Sequence, residues 1–530
     1  MLHEHVEASQ DSRSSGSPTT RHGVLAAAGG FAAGVVTVGI AEFLAGVLLR
    51  QGWSDGTPSP VLAVGGAFID RTPAWLKTFA IDTFGTNDKH VLLGGIAVVL
   101  VLLSLLIGWL LPRRFTAALT TFVVLIMVAA AAVTSRPHAG AVDLAPLLVG
   151  AAAGLITLHL WREHVLRVHA GADAPRSIDR RSVLLGAGAA GVAVLLGSVG
   201  RAWGNGARAV QAARDSFVMP HVRRKVTPPP GASVGVKGVT PYIVPNGDFY
   251  RIDTALVVPQ VDPASWRLRV TGMVEHEIEI DWDTLLSKQM QEAMVTLMCV
   301  SNEVGGHLNG NAVWTGWPVR ELLKQAGVKP GADMVLSRSV DGFTAGTPLE
   351  AMTDDRNALI AVAMNGEALP AEHGFPVRLV VPGLYGYVSA TKWLSELKLT
   401  TFEQDAGYWT PRGWSALGPV KTASRIDVPR SGAKVDAGTV AVAGVAWRQH
   451  VGISKVQVKV DDGGWQDARL GAAGNSDVWR QWVYQWDAKP GHHTLTVRAI
   501  DADGGVQIEE PAPPAPNGST GYHSISITVR

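Results

Sequence analysis

Apolar positions follow one pattern in the first 200 residues and another in the rest. Residues 24–49, 91–111, 115–133, 142–160 and 182–199 are almost unbroken runs of Ala, Val, Leu and Gly. Runs of about 20 apolar residues match the hydrocarbon thickness of a bilayer, so a bundle of five membrane-spanning helices is predicted over residues 23–200. Residues 1–22, with SQDSRSSGSPTTRH, have no apolar face and read as a disordered cytoplasmic tail. Beyond residue 200 the polar patterning is that of a water-soluble protein. Residues 201–239 include KVTPPPGASVGVKG, a composition suited to an extended linker. Alternation then predicts strands over 266–271, 276–280 and 393–401, and short apolar runs predict interior strands over 295–298 and 359–364. WPVRELLKQA, 317–326, is amphipathic and closes on Gly327 as a helix. Four alternating stretches at 439–446, 454–460, 480–486 and 493–500, separated by turn signals, read as an all-β sandwich. The expected chain is multidomain: an α-helical membrane bundle, an α+β domain over 240–410 and an all-β sandwich over 411–530.

Charge gives this plan a direction. Arg13, Arg21, Arg113, Arg114, Arg162, Arg167, Arg176, Arg180 and Arg181 all fall on one side of the predicted spans, and basic residues are retained in the cytoplasm. The N-terminus is thus expected inside, and five spans deliver the soluble half outside a cell membrane crossed several times. Asp179–Leu185, DRRSVLL, resembles a twin-arginine export signal, a route taken by proteins already folded. With 46 basic and 45 acidic residues, the chain has no electrostatic footprint for nucleic acid.

Cys299 is the only cysteine in 530 residues. It ends the apolar run Val295–Met298 and precedes SNEVGG, so it is expected at a strand-to-loop transition. An exported domain exposes a free thiol to oxidation, which favours a bound role for this one, and a thiolate is a soft metal ligand. Two further loops, HGFPVR with His373 and Arg378, and GLYGYVSATK with Lys392, also adjoin predicted strands. Together these groups suggest an anion-binding cleft beside a soft ligand. One cysteine excludes a CxxCH haem attachment, and no haem is expected.

Met364–Gly383, MNGEALPAEHGFPVRLVVPG, together with TLMCVSN and NAVWTGWPV, resembles the molybdopterin-binding domain of the sulfite oxidase family over residues 240–402. The resemblance implies molybdenum bound by the Cys299 thiolate and by a single pterin. It implies pterin contacts from Asn302, Asp341, His373, Arg378, Ala390, Thr391 and Lys392. It also puts Arg251 of FYRID beside the metal and Trp314 near the substrate, while IDT stands where the family has Asn-His. The last hundred residues resemble that family's immunoglobulin-like dimerisation domain, which implies a possible homodimer.

Two departures bear on substrate. Val304 stands five residues after the cysteine, where sulfite oxidases carry an arginine, and Phe343 replaces their active-site tyrosine. Losing a guanidinium removes charge-assisted hydrogen bonds to an oxyanion. The expected protein is a membrane-integral oxidoreductase that transfers an oxygen atom to or from a small molecule. Its electrons pass to a separate carrier, a cytochrome or a quinone-linked protein. A sulfite dehydrogenase, or a cell-surface binding protein without catalysis, are the alternatives.

Overall fold

A computed structural model describes residues 18–54, 56–73, 76, 79–80, 83–84, 87–137, 139–170, 188, 191–200 and 207–530. Two compact units divide the chain, Met1–Asn205 and Gly206–Arg530.

In the first unit, helices are long and apolar enough to cross a membrane over Ala26–Arg50, Asp88–Leu110, Phe115–Thr134 and Ala141–Glu163. These are four among the described residues, against the five expected. In the region of the fifth, the described residues include a ten-residue apolar helix, Gly191–Gly200, and the twin-arginine pair, Arg180 and Arg181, lies outside the described residues. The first helix begins at Pro18, within the stretch read as a polar tail. Gly30 packs against the backbone of Ser104 and Gly108 so closely that a Cβ would overlap it. Such small-residue contacts let apolar helices approach where lipid gives no hydrophobic drive to pair. The stretch after the first long apolar helix holds a helix that the sequence reading missed, Pro60–Arg71. It is capped by Ser59, whose hydroxyl also donates to Glu42 Oε1 at 2.7 Å.

The second unit contains strands β1 (Val222–Arg224), β2 (Arg267–Gly272), β3 (Ile278–Asp281), β4 (Met290–Met298), β5 (Asn309–Pro318), β6 (Met334–Ser339), β7 (Thr344–Pro348), β8 (Leu359–Met364), β9 (Glu367–Ala368), β10 (Arg378–Val380) and β11 (Leu394–Thr400). One sheet runs β1-β4-β5-β8-β10, with β9 on β8, and the other β3-β2-β11-β6-β7. Alternation explains β2, where Leu268 and Val270 point inward between exposed arginines. β8 is buried at every position, as its unbroken apolar run requires. The helix Val319–Ala326 buries Val319, Leu322, Leu323 and Ala326 along one stripe.

Part of the stretch expected to be linker is folded. Ala207–Asp215 forms a helix that anchors Val210 in the core, and β1 pairs in parallel with the start of β4. Local composition hid this, because a strand so short gains its stability from its neighbour.

The sandwich follows with β12 (Ala423–Val428), β13 (Lys434–Val435), β14 (Gly438–Trp447), β15 (Ile453–Val460), β16 (Gln466–Asp467), β17 (Arg469–Leu470), β18 (Arg480–Ala488), β19 (Gly491–Asp501) and β20 (His523–Val529). Its sheets run β12-β14-β18-β17 and β13-β20-β19-β15-β16. Trp482 and Trp486 fill its core with Val456, Val458, Leu495 and Val497. Trp447 and Trp479 instead belong to the core of the preceding domain, so apolar packing runs from one into the other.

Candidate active site

Cys299 follows the last residue of β4, with its N–H donating to Leu308 O at 2.9 Å. Burial pushes its thiol pKa up, while the Ser301 N–H and hydroxyl and the charge of Lys392 pull the other way. The loop that follows is closed by Asn302. Its Oδ1 accepts from Leu308 N at 2.6 Å and its Nδ2 donates to Glu303 O at 3.1 Å. Asn302 was expected to contact the cofactor; in the structure its carboxamide bonds within the cysteine loop, which it shapes.

The expected cations do gather. Lys392 Nζ lies 3.1 Å from Asp253 Oδ2 and donates to Glu372 O at 2.9 Å, and Arg251 Nε reaches the same Asp253 oxygen at 3.0 Å. Burial lowers the Lys392 pKa to about 8, opposed by the Asp253 carboxylate. Asp341, in the β6–β7 turn, accepts from Phe343 N at 3.1 Å. Burial raises its carboxyl pKa, against hydrogen bonds from Ser339 and Phe343.

Arg378 is 4% exposed and donates from Nη1 to His373 O at 3.1 Å. Its guanidinium lies 4.8 Å from the ring centroid of Trp314, and burial lowers its pKa to about 10. Ala390 contributes its backbone oxygen, 3.4 Å from Arg378 Nη2, and the Thr391 hydroxyl lies 2.7 Å from Ser337 Oγ. His373, buried at 2% exposure, places Nε2 3.2 Å from Asn246 O. Burial first, then the charges of Lys392 and Arg378, depress its pKa to about 3. A neutral ring with Nε2–H on a carbonyl leaves Nδ1 as an acceptor.

Two buried atoms here have no protein partner: His373 Nδ1, an acceptor, and Arg378 Nε, a donor. Orphaned buried polar groups cost about 1–3 kcal/mol each, so a group offering both a donor and an anionic acceptor fits this site.

Trp314 and Phe343 were expected at the reacting centre, and the structure shows what each packs against. Trp314 has no exposed surface, donates to Val295 O at 3.3 Å and serves as the platform under Arg378. Phe343 packs against Tyr408, with ring centroids 5.8 Å apart. The sequence reading missed Asp253, which joins Arg251 to Lys392. It also missed Tyr250, whose phenol pKa is raised by burial and by the charge of Cys299. Both stand in the FYRID segment, and their position beside Arg251 was the available signal.

Residues 255–409 match the model of the oxidoreductase molybdopterin binding domain, and residues 423–497 that of a bacterial Ig domain. Mitochondrial sulfite oxidase of Homo sapiens is 30% identical over 324 residues, 51% of this chain and 58% of that protein. The chain thus spans little more than half the length of that relative. The uncharacterized oxidoreductase YuiH of Bacillus subtilis is 33% identical over 157 residues, 30% of this chain and 76% of that protein. The sulfane dehydrogenase SoxCD from Paracoccus pantotrophus, a solved structure, is 23% identical and covers 58% of this chain and 90% of its own, with a TM-score of 0.48. The domain match and the share of YuiH that is covered agree with the signature around Cys299, His373 and Arg378: the chain belongs to the sulfite oxidase family of molybdopterin oxidoreductases.

Proposed function

We propose that this chain is a membrane-anchored molybdenum oxidoreductase whose catalytic unit works outside the cytoplasmic membrane. The observation that carries the reading is the pair of unpartnered buried atoms, His373 Nδ1 and Arg378 Nε, in a cation-rich site with the only thiol of the chain. When bound, the molybdenum–pterin group supplies two-electron oxygen-atom transfer. Cys299 gives the soft ligand. His373 accepts a hydrogen bond from the pterin edge, Arg378 and Lys392 hold its anionic end, and Asp253 keeps Lys392 and Arg251 in place. Electrons then pass singly to a separate carrier, a cytochrome or a quinone-linked protein, and two copies pair through the sandwich.

A neutral substrate, a sulfoxide or N-oxide, suits the chain better than sulfite. Val304 lies in a shallow groove beside the cysteine loop, next to Glu303, and supplies no donor where the resemblance puts an arginine. An oxyanion loses the charge-assisted hydrogen bonds that a guanidinium at position 304 would give.

Metal and pterin analysis of the full chain, purified from cells that make the cofactor, tests the first point. One molybdenum and one pterin per chain are expected, and their absence overturns the proposal. Turnover of sulfoxides with a reduced dye, set beside sulfite oxidation with an artificial acceptor, tests the second. Faster sulfite turnover refutes the neutral-substrate reading.

A further inference from the structure

The sandwich holds both flanks of Cys299. Along β4, the outer edge is covered by β1 only at Met290 and Gln291, so the stretch nearest the cysteine lacks a strand on that side. Backbone groups left there need partners. Residues from the sandwich supply them at Thr296. Its N–H donates to Asp477 O at 2.9 Å, its carbonyl accepts from Gln449 Nε2 at 3.0 Å, and its hydroxyl accepts from Trp479 N at 2.9 Å.

Beyond the cysteine the pattern repeats. Ser519 Oγ donates to Asn302 O at 2.7 Å. Arg425, 1% exposed, donates from Nη1 to Gly306 O at 2.6 Å and to Asn309 Oδ1 at 2.9 Å. Its Nη2 donates to Thr240 Oγ1 at 2.9 Å, and Asp427 takes Nε at 2.6 Å. Gly305, at φ +79°, lies so close to the His523 ring that a Cβ would come within 2.5 Å of it.

We propose that Arg425 is a positioning residue: from the sandwich, it locks the loop that follows Cys299 and so sets where the thiol stands. A rigid fork of donors suits this task, because one planar group ties Gly306, Asn309 and Thr240 together while Asp427 fixes its orientation. The C-terminal domain is then part of the active site. The inference rests on the proposed function for its importance to catalysis, but its geometry concerns this chain alone.

The test uses Cys299 as its own reporter, since no other thiol exists in the chain. The full chain is produced without cofactor, in cells unable to make the pterin, and alkylated with iodoacetamide. Where opening precedes reaction, the rate follows the open fraction of the loop. Arg425→Gln should raise the rate about tenfold, equivalent to ~1.4 kcal/mol of loop opening, and Ser519→Ala about threefold. Amide exchange across β8 should stay at the wild-type rate, because a local lock at the end of β4 does not govern a fully buried strand two places away in the sheet. Unchanged alkylation in both variants, or equal acceleration across β8, overturns the inference. Should Arg425→Gln fail to fold with Asp427 left buried, Ser519→Ala and Thr296→Val carry the same comparison. Wild-type chain lacking molybdenum would sink the proposed function and leave this readout intact.

Discussion

Asp253→Asn separates two ways in which a buried charge can be lost. Asp253 is 5% exposed and holds Lys392, 10% exposed, and Arg251, 32% exposed. The Arg251 pair is partly solvated and contributes about 0–1 kcal/mol. Removing one partner from a buried pair ordinarily costs about 3–5 kcal/mol, because the other charge is stranded. Lys392 has an escape. Its pKa already lies at about 8, so without the carboxylate it sheds its proton. The loss through Lys392 is therefore capped by its own protonation free energy, on the order of 1 kcal/mol at pH 7 and a few kcal/mol at pH 6. Above pH 9 the cap approaches zero. The sign follows from the direction of the shift: a lysine depressed below its ordinary value penalises the fold while protonated, and the penalty lifts as pH rises through 8. Urea unfolding of cofactor-free full chain, followed by tryptophan fluorescence at pH 6, 7 and 9, measures the gap between wild type and variant. It should shrink steadily with pH. A gap that is constant, or larger at pH 9, refutes the reasoning.

Cys299→Ser should abolish oxygen-atom transfer and empty the site of molybdenum while leaving the melting temperature within a few degrees, since serine is nearly isosteric but a harder ligand; metal analysis and a thermal melt check both halves. Trp314→Leu should cost about 2–4 kcal/mol by opening a cavity beneath Arg378, and should reduce pterin retention, because the guanidinium loses its platform. Wild-type stability and pterin content would show that Arg378 is held by its hydrogen bonds alone.

The elements read from periodicity are those that bury a full face by themselves. β8, with every residue inside, and the helix Val319–Ala326, with its single apolar stripe, were legible because their patterns are internal. β1 and the helix Ala207–Asp215 were not, since each is defined by what it packs against, β4 in one case and the core around Val210 in the other. The same divide runs through the site. Cys299 and His373 stood out by rarity and motif, whereas the part Asn302 plays in closing the cysteine loop, through a bond to Leu308 six positions on, was not visible in the sequence. Asp253 looks like any other acid in the sequence. It matters because folding brings Lys392, 139 positions away, to 3.1 Å.

Those bonds to Thr296 and Asn302 also impose an order in time. β4 is synthesised long before Gln449, Asp477 and Ser519 leave the ribosome, so its outer edge near the cysteine stays bare until the sandwich exists. Contacts of such long sequence separation form late, because chain closure must precede them. A chain stopped before Ser519 lacks the donor to Asn302, and one stopped before Arg425 lacks the whole lock. The thiol therefore reaches its final place only after the chain has been made as far as Ser519. Under the proposed function, a chain stopped before these residues has its soft ligand in an unlocked loop.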